Sequence, residues 1–160
     1  MQTKNLTKKE ERQVLVFRSG RQELGLDISC VREVLRPQET YPLPKTPHFI
    51  EGVINLRGRI VPLIDLGKRL HAGQREEDPN KRIIVCKANG FIIGLVVNSL
   101  REIVALPRED IEPTPQVVSM RLEAEVMSGL ARVGQRIIPI LDLDRLLMKE
   151  EVGELATLEL

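Results

Sequence analysis

Apolar residues come in short blocks separated by polar punctuation, and few blocks show helical spacing. Val14-Leu15-Val16-Phe17 predicts a strand, Ser19-Gly20 a turn and Glu23-Leu24-Gly25-Leu26 the returning strand. Cys30 to Leu35 alternates loosely, with Val31, Val34 and Leu35 apolar and Arg32 and Glu33 charged. Pro37, Pro42, Pro44 and Pro47 then interrupt regular structure. Gly52–Leu56 predicts another strand, Arg57-Gly58 a tight turn and Arg59–Ile64 the strand back. Asp65 is placed to cap a short helix, Leu66–Leu70, by accepting backbone N–H bonds. Ala72–Lys81 is a charged loop containing Gly73 and Pro79, and after it the pattern starts again.

The restart is a repeat, readable in two ungapped blocks. Gly52–Leu70 over Gly129–Leu147, a shift of 77, gives seven identities in 19 positions: Gly52/Gly129, Arg59/Arg136, Ile60/Ile137, Pro62/Pro139, Asp65/Asp142, Leu66/Leu143 and Leu70/Leu147. Val14–Leu35 over Ile83–Val104, a shift of 69, gives five in 22: Val16/Val85, Gly25/Gly94, Leu26/Leu95, Arg32/Arg101 and Glu33/Glu102. The blocks keep their order in both halves. Each half is thus a small β-rich unit with one terminal helix, and a sheet that small removes its edges best by curling into a barrel. The expected organisation is a flexible tail over 1–12 and a single domain over 13–148. That domain holds two pseudo-repeated barrels, approximately 13–71 and 82–148, and the sequence leaves open whether strands are exchanged between them. Residues 149–160 form either a tail or a docking helix. Pro62 and Pro139 stand inside apparent strands and are expected at an edge or a bulge, because proline cannot donate to a ladder.

Composition narrows the function classes. With 24 Lys and Arg against 23 Asp and Glu, the formal net charge is +1, so nothing attracts nucleic acid or an anionic membrane as a whole. Aromatics are 2% of the chain, too few for a base-stacking platform. The most apolar run, Phe91–Val97, is far short of the ~20 residues a spanning helix needs, and the N-terminus lacks an apolar signal core. Two cysteines, Cys30 and Cys86, read as buried free thiols of a cytoplasmic protein.

Catalytic motifs are missing: no phosphate loop, no G-x-S-x-G elbow, no H-E-x-x-H and no C-x-x-C. His48 and His71 lie apart and neither has a neighbouring ligand, so no metal is expected. Asp65 and Asp142 could be paired as an acid dyad, but each follows an apolar strand and precedes a short helix with basic residues at its end. Capping explains both without chemistry, and no catalytic residue is assigned. The copies diverge at Asn55, opposite Arg132, and at Arg57, opposite Gly134.

The segment Phe49-Ile50-Glu51-Gly52-Val53-Ile54-Asn55-Leu56-Arg57-Gly58-Arg59-Ile60-Val61-Pro62-Leu63-Ile64-Asp65-Leu66 resembles the signature of the CheW family of chemotaxis coupling proteins, G-V-x-N-L-R-G followed by I-V-P and D-L. The likeness extends through Val14–Phe17, Leu24–Ile28, Pro47–Ile50, Gly94–Val97 and Ser128–Leu130. It implies two packed SH3-like five-stranded β-barrels with short helices. It implies a non-catalytic adaptor without cofactor, linking methyl-accepting chemoreceptors to the regulatory domain of the histidine kinase CheA and recruited to receptor arrays at the inner face of the membrane. By the same resemblance, receptor binding falls to Gly52, Asn55, Arg57, Ile84, Leu100 and Gly129, of which Ile84 and Leu100 fit a core equally well. Kinase contacts fall to Val31, Glu33, Val34, Gln116 and Val117; relatives often carry Glu-Phe at the last two. An adaptor of another chemosensory pathway, such as surface motility, would use the same residues.

Overall fold

The computed structural model describes residues 11–70, 78–113 and 126–147. The strands are β1 (Arg12–Ser19), β2 (Gln22–Asp27), β3 (Val31–Leu35), β4 (Ile50–Leu56), β5 (Arg59–Asp65), β6 (Arg82–Ala88), β7 (Phe91–Val97), β8 (Ser99–Leu106), β9 (Ile111–Glu112), β10 (Met127–Val133) and β11 (Arg136–Leu141). Two one-turn helices, α1 (Leu66–Arg69) and α2 (Leu143–Leu146), follow β5 and β11. The first strand starts at Arg12, one residue inside the segment expected to be tail, and Arg12 is ion-paired to Asp27 at 2.6 Å.

The strands form two curled sheets, ordered β8-β1-β2-β11-β10-β9 and β3-β6-β7-β5-β4, an all-β pair of SH3-like barrels. The sheets do not follow the contiguous halves 13–71 and 82–148. Hairpin β1–β2 lies in the sheet of β8–β11, and hairpin β6–β7 lies in the sheet of β3–β5. The exchange is reciprocal: β1 pairs with β8, and β3 with β6. One sheet has a sixth strand, the two-residue β9, where five were expected. In the other sheet an isolated bridge, Tyr41 to Val53, takes the same place.

The exchange accounts for the hydrophobic pattern of the hairpins. Along β1, Val14 and Val16 point into the core of their own sheet with Ala131, Ile138 and Ile140. Leu15 and Phe17 point the other way, into a core shared by both sheets. Along β6, Ile83 and Val85 join the first kind of core with Ile54, Val61 and Leu63, while Ile84 and Cys86 enter the shared one. Both faces of these strands are buried, so they read as continuous apolar runs rather than alternation. Leu66, Leu70, Leu143, Leu146 and Leu147, at and just after the two helices, close the shared core.

The prolines are on neither an edge nor a bulge. Pro62 faces Val53 in β5, an interior strand, and Pro139 faces Leu130 in β11, likewise interior. Each stands one residue before the parallel ladder to the exchanged hairpin begins, at Leu63 against Gly94 and at Ile140 against Gly25. The missing N–H therefore falls outside that ladder, which is why an interior strand tolerates it.

Candidate functional site

The β4–β5 hairpin ends in a two-residue turn with Arg57 at φ +51° and Gly58 at φ +84°. Positive φ at both central residues is the requirement of a type I′ turn, whose twist matches the flanking strands. Asn55 holds it: the Gly58 N–H donates to Asn55 Oδ1 at 2.9 Å. Arg57 is thus an L-residue in the left-handed region, a conformation that glycine adopts at less cost. In the second hairpin the equivalent residue is Gly134, also at positive φ (+62°). Conformation alone would favour glycine in both copies, so the arginine side chain has to be explained by what it reaches.

It reaches Glu33 on edge strand β3. Arg57 donates through both terminal nitrogens, Nη1 to Oε1 at 3.3 Å and a shorter bond from Nη2 to Oε2. The carboxylate pushes the guanidinium pKa further up. The Arg57 side chain keeps 70% of its surface exposed, so the pair lies open to a partner. Val34 beside it is exposed, and Val31 is half-buried against the shared core. The turn and β3, 24 residues apart in sequence, therefore form one surface. They meet at a groove of about 220 Å³ that also takes in Arg32, Arg59 and Ile92.

The other expected site residues divide differently. Ile84 is fully buried in the shared core and offers no atom to a partner. Leu100 is half-buried against that same core. Gly52 and Gly129 are buried where the register of each hairpin shifts, between Ile50 and Gly52 and between Met127 and Gly129. A Cβ at Gly52, whose φ is +147°, would lie 2.9 Å from the Tyr41 carbonyl carbon and nearer still to its oxygen. A Cβ at Gly129 would lie 2.6 Å from the Glu112 carbonyl oxygen. Both glycines let an outer segment approach a bulge. Gln116 and Val117 lie outside the described residues, as does His71.

Asp65 and Asp142 each cap their own helix. Asp65 accepts from the Lys68 N–H at 3.1 Å, and Asp142 from Asp144 and Arg145 at 3.1 and 3.3 Å. Their own N–H groups donate to equivalent carbonyls, Phe49 and Val126, both at 2.8 Å. Among the described residues no three His, Cys, Asp or Glu side chains are grouped to hold a metal, and no helix is long and apolar enough to cross a membrane. Burial pushes the thiols of both Cys86 and Cys30 up, with Asp27 adding to the shift at Cys30.

Sequence reasoning missed a second feature, a cleft of about 420 Å³ where the two sheets meet, bounded by Cys30, Lys87, Asn89, Ile140 and Asp144. Asn89 ties its walls together. Its N–H donates to Asp144 Oδ1 at 2.8 Å, and its side chain donates to the Asp144 and Leu147 carbonyls at 3.0 and 3.2 Å. An Asn-Gly dipeptide at a hairpin tip signals only a turn; nothing in it announces a tie to α2.

A family model described as the CheW-like domain matches residues 13–151. The chemotaxis protein CheW of Klebsiella aerogenes is 34% identical over 139 residues, covering 87% of this chain and 83% of that protein. Protein FrzA of Myxococcus xanthus is 32% identical over 139 residues, covering 86% of each. The crystal structure of the scaffolding protein TtCheW from Thermoanaerobacter tengcongensis superimposes with a TM-score of 0.79 at 36% identity, covering 84% of this chain and 91% of that one.

Proposed function

The chain belongs to the CheW-like family, whose members are non-catalytic chemotaxis adaptors, and from that premise we propose that it couples methyl-accepting chemoreceptors to the histidine kinase CheA in the cytoplasm, at receptor arrays. The observation that carries this reading is the Arg57–Glu33 pair. It joins the turn assigned to receptors with the strand assigned to the kinase. A partner that competes for either side chain alters what the other presents. Two binding surfaces linked by one exchangeable ion pair suit a relay that contains no chemistry of its own.

The receptor's helical tip would meet the β4–β5 turn at Arg57, while the cleft between the sheets, rimmed by Cys30, Lys87 and Asn89, is lined by none of the residues that the resemblance gives to the receptor. The kinase's regulatory domain would lie along β3, an edge strand whose outward side is paired with no strand among the described residues. Co-elution with that domain and with a receptor-tip fragment tests the reading. Binding to both at tens of micromolar or better is expected, as for ordinary transient interfaces. Binding to neither would overturn it. The similarity to FrzA supports a second reading, an adaptor of a different chemosensory pathway; the two readings separate on which receptor fragment is retained.

A further inference from the structure

The two sheets carry nearly the same charged residues at corresponding places, with one exchange that changes what they do. Arg32 and Arg101 each stand where the register between edge strand and exchanged hairpin shifts. Arg59 and Arg136 each open the strand after a hairpin turn, and Glu33 and Glu102 each follow the bulge. In the β8 sheet, the exchanged hairpin contributes Glu23. Its Oε2 accepts from Arg101 Nε at 3.2 Å and from Arg136 Nη1 at 3.0 Å, and Glu102 takes the other arm of Arg136. Two acids and two arginines close into a neutral cluster.

In the β3 sheet the hairpin residue at Glu23's position is Ile92 (23 plus the shift of 69). Glu33 is engaged by Arg57 instead of by the strand-opening arginine. Arg32 and Arg59 have no ion-pair partner among the described residues, and with Arg57 and Glu33 they leave the groove at three positive charges against one negative, a net +2. Leu56, Val85 and Ile92 form its apolar floor. Its volume is about 220 Å³, roughly half that of the cleft between the sheets.

We propose that this groove takes a carboxylate side chain from a partner protein, seated between Arg32 and Arg59 with an apolar neighbour of the acid resting on Ile92. The same molecule already shows the arrangement filled, with Glu23 supplying the acid. Desolvated on one side and met by two guanidinium groups, such a carboxylate gains charge-assisted bonds and fixes the register of docking. The proposal rests on the adaptor reading, and it names the chemistry of the partner's contacting segment: acidic, flanked by an apolar residue.

The probes are the kinase regulatory domain and the receptor-tip fragment, titrated calorimetrically at low and at physiological salt. Arg32→Ala and Arg59→Ala should each weaken binding of the kinase regulatory domain by about tenfold and flatten its salt dependence, because the groove opens beside β3. Ile92→Glu supplies the acid within the chain, as Glu23 does, and should weaken that binding at least as much. Arg101→Ala, in the neutral cluster, should leave it unchanged. If the wild type binds and the arginine variants bind as tightly, this proposal fails and the adaptor reading stands. Equal weakening by Arg101→Ala would reduce the effect to overall charge and overturn the proposal as well. If the wild-type chain binds neither probe, the adaptor reading fails and the proposal falls with it.

Discussion

The two hairpins β4–β5 and β10–β11 share their strands and differ at their tips. Both have a glycine at the bulge, a proline opposite the same partner position and an aspartate capping the helix beyond. At the tip, one has Asn55 and Arg57, the latter reaching across to Glu33. The other has Arg132 and Gly134, and Arg132 pairs with Glu112 on the neighbouring β9. The glycine, proline and aspartate that both copies keep are explained by backbone geometry, and the arginine that one copy alone places at its tip is not. For these backbone-setting positions a duplicated fold acts as its own control: what both copies keep is scaffold, and what one copy alone acquires at the cost of an unfavourable φ needs a reason outside the scaffold.

The bulge glycines offer the largest effect with which to break that comparison. Gly52→Ala adds a methyl group against the Tyr41 backbone at a φ of +147°, so the strain is steric and torsional together. A loss of about 3 kcal/mol is expected. Gly129→Ala meets the Glu112 carbonyl oxygen at 2.6 Å and the Ile111 side chain at 3.4 Å, without the positive φ of Gly52, and should lose about 2 kcal/mol. Urea unfolding of both variants checks the order. If Gly52→Ala kept full stability and lost receptor binding, the glycine would belong to the interface and the shared-means-scaffold rule would fail at its first position.

The caps come next. Asp65 is 2% exposed and Asp142 is partly open, its side chain 29% exposed. Asp65→Ala should cost about 1.5 kcal/mol and Asp142→Ala about 1 kcal/mol, while Asp65→Asn, which still accepts the Lys68 N–H, should recover most of the loss. Thermal denaturation at neutral pH reads both. A cap that Asn could not rescue would mean that the charge, and not the acceptor, matters there.

Much of this was legible in the sequence because the duplication is. Identities at shifts of 77 and 69 place the hairpins and both caps, but not the bulges, which the sequence puts at Pro62 and Pro139 and which fall instead at Gly52 and Gly129. The hairpin exchange was not legible. Val14–Phe17 and Ile83–Cys86 carry the same apolar pattern, so each hairpin fits either sheet, and only the three-dimensional path of the chain chooses. For the same reason Ile84 could not be told from a surface residue: a strand buried on both faces has no alternation to betray which side chain looks where. Arg57 and Asn55 stood out by divergence. The Glu33 contact did not, since nothing local links residues 24 apart. Glu23 and Ile92 differ in the alignment too, but the consequence for Arg32 and Arg59 needs the sheet to bring all of them together.

A smaller test uses acid. Asp27, which the repeat replaces with buried Val96, has no counterpart in the second copy. Burial by itself would raise its carboxyl pKa. The Ser29 hydroxyl and N–H, both bonded to Oδ1, and the Arg12 guanidinium outweigh this and hold it below its usual value. A depressed carboxyl stabilises the fold above its unfolded pKa of about 3.9, and that contribution is lost as pH falls through the lower folded value. Asp27→Asn should therefore unfold earlier than wild type in urea at pH 7, and the gap should narrow towards pH 2.5. A gap that widened on acidification would mean the carboxyl is raised, reversing the assignment of its partners.

The smallest expected change in stability is also the sharpest test of the comparison. Arg57→Gly makes the first hairpin tip resemble the second, where Gly134 occupies the same place. It removes an L-residue from the left-handed region and one exposed ion pair, two changes of opposite sign, the second weak in water. The urea midpoint should stay where it is or rise slightly. Coupling should not survive: with Glu33 released from the turn, binding to the receptor tip should weaken and receptor control of kinase activity should be lost in a reconstituted assay. Arg57→Lys separates the causes. It keeps a charge near Glu33 without the two-pronged geometry, so partial coupling would assign the effect to charge and none would assign it to the fork. If Arg57→Gly coupled as well as wild type, the tip would be as interchangeable as the scaffold beneath it, and divergence between the copies would cease to point to function.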